Sequence, residues 1–161
     1  MGETVENEHI AITVNVDELR QRLSPDKFLV AVDKVLASVA KEIEIAAAPY
    51  PEEGPWNQPG PYPARWYQRH FGSRWALKSG GVGGRNTSEQ MQKRWKTGRA
   101  GKLAWHVGNV ASYAPYVMGE EQQPYHAAHG WRKLSDIARD VIKDMADDIV
   151  RQVADKWLQE Q

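Results

Sequence analysis

The chain has 161 residues, and its 21 basic and 21 acidic residues give a formal net charge of zero, which indicates neither a nucleic acid nor a membrane as partner. This length suits a single domain, residues 1–161, with one modest core. The absence of cysteine excludes disulfides, thiolate metal sites and cysteine nucleophiles, and it fits synthesis in a reducing cytoplasm. No apolar run approaches the ~20 residues that span a bilayer, and residues 1–8 are acidic, so we expect a flexible N-terminus without a signal peptide.

The first elements follow from the spacing of apolar residues. Residues 10–16 alternate apolar and polar side chains, which predicts a half-buried strand, and residues 17–23 read as a short helical turn. Ser24 offers a capping hydroxyl in front of a proline and an acid, a typical helix start. Apolar residues at helical spacing follow, so we predict a long helix near residues 25–48, which must end before Pro49.

Two segments in the first two thirds of the chain are predicted to be loops. Residues 49–63 contain six prolines, which favour a loop with polyproline-like stretches. Four glycines between residues 79 and 84 predict a second, flexible loop over residues 79–86. A phosphate-binding loop is the alternative there, but the Lys-Ser/Thr pair that should follow is missing. The segment between the loops, residues 65–72, has no clear assignment.

The second half is predicted to hold short strands and one long helix. Residues 91–95 form a short helix or strand, residues 103–108 alternate as a strand, and residues 113–117 form a short strand broken by Pro115. One apolar face predicts a last helix near residues 134–158; its members are Leu134, Ile137, Val141, Ile142, Met145, Ile149, Val153 and Trp157. The predicted class is α+β: a small antiparallel β-sheet packed against two long helices, with long Pro/Gly-rich loops.

The middle of the chain is basic and rich in aromatic residues. Residues 49–110 carry ten Lys/Arg against three Asp/Glu, a net charge of +7. Such residues neutralise phosphates, and the interleaved tryptophan and tyrosine rings can stack on bases. The alternatives are a solvated loop or a positive patch that meets an acidic neighbouring subunit, and no known DNA-binding motif accompanies the charge. The candidate DNA- or partner-facing residues are Arg65, Arg69, Arg74, Lys78, Arg85, Lys93, Arg94 and Lys96.

Two histidines are the candidate metal ligands. His126 and His129 stand one helical turn apart, as zinc ligands often do, and His106 or the acids at 120 and 121 could complete a site. The alternative is that both histidines make loop hydrogen bonds near Gly130. No nucleophile, base and acid stand out in an order that suggests catalysis. We therefore expect no enzyme activity, no catalytic residue, no cofactor and no metal site.

Several short motifs resemble a family of phage proteins. They are the Tyr-Ala-Pro-Tyr-Val sequence at residues 113–117, the aromatic-His segment ending in Gly-Trp at residues 125–131, and the long helix after it. The aromatic-basic segment at residues 66–71 and Thr-Ser-Glu at residues 87–89 agree with them. Together they resemble the minor tail or tail-completion proteins of long-tailed bacteriophages, also called head–tail joining or neck proteins.

This resemblance implies a role in assembly by binding alone. The subunit would form a ring with other copies around the DNA channel, beside the connector or stopper and the tail terminator, in the virion neck after synthesis in the bacterial cytoplasm. Ring contacts are heterologous and need two complementary patches. Candidate interface aromatics are Tyr113, Tyr116, Tyr125 and Trp131, unless two or three of them fill the core. Alternative functions are a tail terminator, a small DNA-binding protein using residues 65–102, and a metal-dependent hydrolase.

Overall fold

The computed structural model describes residues 10–15, 26–54, 57 and 59–159, which fold into two antiparallel sheets and five α-helices. A short 3-10 turn lies at Met91–Lys93. In chain order the elements are β1 (Ile10–Asn15), α1 (Asp26–Ala47), β2 (Arg65–Gln68), β3 (Gly72–Ala76), β4 (Val82–Gly84), β5 (Trp95–Gly101), β6 (Ala104–Asn109), α2 (Ala114–Met118), α3 (Pro124–Ala128), α4 (Leu134–Asp144) and α5 (Ala146–Gln159). The α+β class predicted from the sequence is confirmed.

The sheet that belongs to the core, called here the central sheet, has the order β1-β6-β5. Strand β6 lies in the middle and pairs antiparallel with both neighbours, so that Val107 faces Ile12 on one side and Thr97 on the other. Val107 is completely buried, and α1 packs against β5 and β6. Asp33 of α1 also accepts a hydrogen bond from the indole nitrogen of Trp105, 3.1 Å away. The strand and the helix are thus joined by apolar and polar contacts.

Helix α1 supplies the largest share of the core because one face is apolar along its whole length. This face points at β5 and β6 on one side and at α4 and α5 on the other. Few apolar residues of α1 lie outside this face and are exposed; one of them is Ile45, with 53% of its surface accessible. The buried apolar residues of α1 are Ala31, Val32, Val35, Leu36, Val39, Ala40, Ile43 and Ala47.

The C-terminal helical region differs from the single helix predicted for residues 134–158. It is divided into α4 and α5 at Met145, whose backbone takes a φ of −92° and a ψ of −1°. Backbone hydrogen bonds from Met145 to Val141 and from Ile149 to Met145 carry the chain through this turn. Leu134, at the start of α4, is buried. The predicted apolar face is therefore divided between two helices, both of which contact α1.

The second sheet, called here the arm sheet (β2–β4, residues 65–84), was not predicted. Its strands have the order β2-β3-β4 and use residues 65–72, which the sequence left unassigned, and part of the predicted loop at residues 79–86. Among its residues only Gly72 is buried, and none belongs to either hydrophobic cluster of the described chain. The arm sheet is thus held by its own backbone pairing and by loops, more than by the core.

Other predictions have different outcomes. Residues 113–117 do not form a strand: α2 begins at Ala114 with a proline in its first turn, a position that favours a helix start because proline lacks the N–H that would go unpaired. Residues 49–63 contain no α-helix or strand where they are described. The helical turn predicted at residues 17–23 and the flexible N-terminus at residues 1–8 lie outside the described residues.

Candidate functional site

The arm sheet exposes an unusual number of large apolar side chains. Six of the large hydrophobic residues that are exposed in the described chain lie between residues 62 and 82. When no other element packs on a sheet, its side chains are not buried, and the sheet lacks the packing that normally stabilises strands. Such a surface is typical of a binding site. The six residues are Tyr62, Tyr67, Phe71, Trp75, Leu77 and Val82, the last with 62% of its surface accessible.

A groove of about 810 Å³ follows β2 and β3. Across the two strands Arg65 pairs with Trp75 and Trp66 with Arg74, and all four residues line the groove. The guanidinium of Arg74 lies 5.8 Å from the ring centre of Phe71. The ammonium group of Lys78 stands 5.8 Å from the ring centre of Tyr62, a separation at which a cation is attracted to a ring. The groove therefore combines aromatic faces with positive charge.

The structure divides the eight predicted basic residues into groups. Arg65, Arg74, Lys78 and Arg85 lie on or beside the arm sheet, whereas Lys93, Arg94 and Lys96 lie on the 3-10 turn and the start of β5 in the central sheet. Arg69 has an internal role: it donates to the carbonyl of Pro51, and its guanidinium lies 5.5 Å from the ring centre of Tyr50. The sequence did not distinguish this structural arginine from the exposed ones.

A second cavity, called here the aromatic cleft, has a volume of about 400 Å³ and lies between α2, α3, β2 and the loop after α1. Its lining includes all four predicted interface aromatics, which come from before α2, from α2, from α3 and from the segment after α3. Tyr50 and Tyr67, which the sequence did not single out, complete it. The aromatic residues of the lining are Tyr50, Tyr67, Tyr113, Tyr116, Tyr125 and Trp131.

The rings of the aromatic cleft pack on one another around Tyr50. Its ring centre lies 5.1 Å from that of Trp131 and 5.8 Å from that of His70, which stacks on it. On the opposite side Tyr116 and Tyr125 are exposed, with 45% and 56% of their surfaces accessible. The cleft therefore has a fixed floor and an open rim, the arrangement expected of a preformed binding site.

Hydroxyl groups give the floor its polarity. The oxygens of Tyr50 and Tyr113 accept backbone N–H groups of Gln92 and Met91 at 3.2 and 3.1 Å. Burial raises the pKa of Tyr50 above its ordinary value, and the nearby hydroxyl of Tyr113 acts in the same direction. Burial, together with the Tyr113 hydroxyl, also raises the pKa of Tyr67 to about 12, although Ser88 accepts its hydrogen bond. The raised pKa values keep Tyr50 and Tyr67 protonated at neutral pH.

Asn57 is the polar anchor of the cleft wall, and the sequence analysis did not find it. Its side chain is buried; Nδ2 donates to the carbonyl of Tyr67 at 2.7 Å, and Oδ1 accepts the N–H of Tyr67 at 2.7 Å. Nδ2 also donates to Glu53 at 2.8 Å. These bonds fix the loop after α1 to β2. An asparagine among prolines carries no sequence signal that separates this role from an ordinary turn.

The two histidines of the metal hypothesis are engaged locally. Nδ1 of His129 lies 2.5 Å from the carbonyl oxygen of Tyr125, and the ring of Tyr125 contacts both imidazoles. Burial, and after it the neighbouring His129, lowers the pKa of His126. Glu120, one of the residues that could have completed a site, accepts hydrogen bonds from Lys133 and Ser135. Within the described residues no three His, Asp or Glu side chains are grouped so as to hold a metal ion.

Comparison with known protein families, with curated proteins and with solved structures finds no match to this chain. None of its described helices is both long enough and apolar enough to cross a membrane. The chemistry of the two surfaces must therefore carry the functional argument. One surface is an exposed, basic and apolar arm, and the other is a preformed aromatic cleft.

Proposed function

We propose that this chain is a structural assembly subunit of a tailed phage, a tail-completion or neck protein that joins tail and head by binding alone. The observation that carries the proposal is the arm sheet: exposed apolar side chains such as Val82 and Phe71 lie on a sheet that contributes nothing to the core. Burying such residues against another subunit stabilises a complex by about 25 cal/mol per Å² of apolar surface. An arm of this kind suits a protein whose work is done in an assembly.

The charge distribution supports assembly through two different surfaces. Residues 49–110 carry a net charge of +7. Residues 1–48 carry −4, from five Lys/Arg against nine Asp/Glu, and residues 111–161 carry −3, from six Lys/Arg against nine Asp/Glu. A positive arm on one copy and an acidic surface on the next make a head-to-tail contact, which closes into a ring when the rotation allows it. The proposed partners are other copies, the connector or stopper and the tail terminator, at the virion neck.

The test is loss of the gene in the parent phage, followed by rescue with variants. Without the protein, heads and tails should both be made and should remain unjoined. A rescuing copy with Val82→Asp and Arg65→Glu on the arm sheet should fail, whereas Val150→Asp with Lys102→Glu, a matched change at exposed positions elsewhere, should succeed. Tails that are missing or of uncontrolled length would assign the protein to a terminator role instead. Normal joined particles would refute the proposal.

A second candidate is a small DNA-binding protein that uses residues 65–102. The observation in its favour is that Arg65, Lys78 and Arg85 make no ion pair with a carboxylate in the part of the chain that the structure describes. Of these, Arg65 lines the groove together with aromatic residues, and Lys78 lies near the ring of Tyr62. Its test is a titration of the purified protein with single- and double-stranded DNA at several salt concentrations. This candidate would be favoured if a monomer bound DNA tightly and if the logarithm of the binding constant fell linearly with the logarithm of the salt concentration.

A further inference from the structure

The proline-rich loop has an exposed tip whose two ends are fixed. This tip, called here the strap (residues 59–63), has the sequence Pro-Gly-Pro-Tyr-Pro, and its three prolines and Tyr62 are exposed. On one side Asn57 is bound to the backbone of Tyr67, and on the other Ala64 accepts a hydrogen bond from the N–H of Ala76 at 2.9 Å. Because both ends are bound to the arm sheet, the strap is held out as a short loop.

The aromatic cleft has the chemistry that recognises such a segment. Proline-rich peptides dock on tyrosine and tryptophan rings, which pack against the pyrrolidine rings, while hydroxyl and indole donors bind the peptide carbonyls. The cleft offers these rings at its rim, in Tyr116 and Tyr125. The oxygens of Tyr50 and Tyr113 accept backbone N–H groups, and the two phenols also hydrogen-bond each other, so they form a fixed polar floor beneath the rings of the rim.

Charge further narrows the choice of ligand. The lining formed by the described residues includes the guanidinium of Arg69 and no carboxylate. The positive charge of a basic peptide would therefore be repelled by Arg69, and no carboxylate of the lining would offset this repulsion. The strap carries no charge at all. At about 400 Å³ the cleft falls within the ~300–1,000 Å³ typical of ligand pockets.

We propose that the aromatic cleft binds the strap of a second copy of this chain. Strap and cleft are different surfaces, so each copy can give its strap to one neighbour and receive a strap from another, which is the heterologous contact that a ring requires. The choice of a second copy as occupant rests on the assembly role proposed above. The assignment of the cleft as a peptide-binding site does not depend on that role. The strap also lies at the groove of the arm sheet, which Tyr62 and Tyr125 both line, so the two surfaces would meet a neighbour together.

The first experiment titrates the full chain with a labelled, uncharged peptide of residues 57–64 and follows fluorescence anisotropy. We expect saturable binding, weakened about tenfold by Tyr125→Ala, because this variant removes one of the two rim rings against which the prolines pack, and a tenfold change corresponds to about 1.4 kcal/mol. Ile45→Ala is the matched control, a similarly exposed large apolar residue outside both the cleft and the arm sheet, and should bind as the parent does. A peptide with its three prolines changed to serine should bind at least about tenfold more weakly.

Absence of saturable binding up to about 1 mM peptide would overturn the assignment. So would equal binding of the serine peptide, or an equal loss of affinity in Ile45→Ala. If the peptide binds while loss of the gene leaves particles joined, the assembly role fails and the peptide site stands. If the arm variants leave heads and tails unjoined but no peptide binds, only the cleft assignment fails.

The second experiment tests whether the occupant is another copy. A strap variant carries serine at the prolines 59, 61 and 63, and a cleft variant carries Tyr116→Ala and Tyr125→Ala. In sedimentation at high concentration each variant alone should lose the self-association of the parent chain, and their mixture should recover a one-to-one pair, because one intact strap meets one intact cleft. A cleft variant that associates as strongly as the parent, or a mixture that recovers nothing, would show that the strap of a second copy is not the occupant.

Discussion

Asn109 connects the central sheet to both segments that carry the floor of the aromatic cleft. It ends β6 and is completely buried; its Nδ2 donates to the carbonyl of Met91 at 2.8 Å, and its Oδ1 accepts the N–H of Ala111 at 3.0 Å. The N–H of Met91 in turn binds Tyr113. Replacement by alanine removes both hydrogen bonds of Asn109 and leaves a buried carbonyl and a buried N–H without these partners.

The size of this effect follows from the two orphaned groups. A buried polar group that loses its partner costs about 1–3 kcal/mol, so Asn109→Ala should lower the free energy of unfolding by about 3 kcal/mol. Urea denaturation followed by circular dichroism measures it, and the slope with urea should not change. Asn86→Ala, at an exposed position, should cost less than about 0.5 kcal/mol. A loss below about 1 kcal/mol for Asn109→Ala, or one equal to that of Asn86→Ala, would refute the reasoning.

Three further predictions concern titration, the core and the arm. Tyr67 should titrate at about 12 in phenolate absorbance, and a Tyr67→Phe variant should lack this titration. Because the pKa of Tyr67 is raised in the folded state, its contribution to stability is complete below about pH 10 and is lost as pH rises toward 12. Ile43→Ala should cost about 2–5 kcal/mol in urea denaturation, against less than about 0.5 for exposed Ile45→Ala. Gly72→Ala would place a Cβ 2.4 Å from the Thr87 hydroxyl at a φ of +99°, so limited proteolysis should cut the arm sheet faster while the core stays intact.

The long first helix was predictable because two independent signals agree on it. The apolar residues recur at helical spacing, and capping and proline signals mark both ends, so the predicted span of residues 25–48 differs from the observed Asp26–Ala47 by one residue at each end. The C-terminal region was predictable in type, since its spacing is equally regular. Its break at Met145 was not, because the apolar pattern continues through the turn without interruption.

The arm sheet and α2 were not predictable, for two different reasons. Strands β2–β4 have no buried face, so they lack the apolar and polar alternation by which strands are found. At residues 113–117 the spacing of Tyr113, Tyr116 and Val117 fits a helical turn as well as an extended chain, and Pro115 was interpreted as breaking a strand. In the fold the same proline lies in the first turn of α2, where its fixed φ favours a helix.

The aromatic cleft shows what a sequence can and cannot give about a site. Four of its aromatics were selected as interface candidates because they lie in the motifs at residues 113–117 and 125–131 that resemble the phage family, and whether they contact a partner stays a prediction. Tyr50 and Tyr67 come from the end of α1 and from β2, and only the tertiary fold brings them to Tyr113. Asn57 joins these elements through backbone groups, which no pattern of side chains announces.

The make-up of the arm sheet separates the two proposed functions by physical chemistry. Binding to nucleic acid gains free energy from the neutralisation of phosphates and from the stacking of bases on rings, and neither interaction buries an aliphatic side chain. Contacts with another protein do gain free energy from burying such a side chain. Val82 and Leu77 are aliphatic and exposed on the same arm that carries Lys78. Val82→Ser should therefore impair the joining of heads to tails while leaving any DNA affinity within about twofold, since it changes no charge. Lys78→Gln should lower DNA affinity at low salt, and the salt slope should fall by about 1. If Val82→Ser instead weakened DNA binding as much as Lys78→Gln and spared assembly, the arm would be a nucleic-acid surface and the assembly proposal would lose its main support.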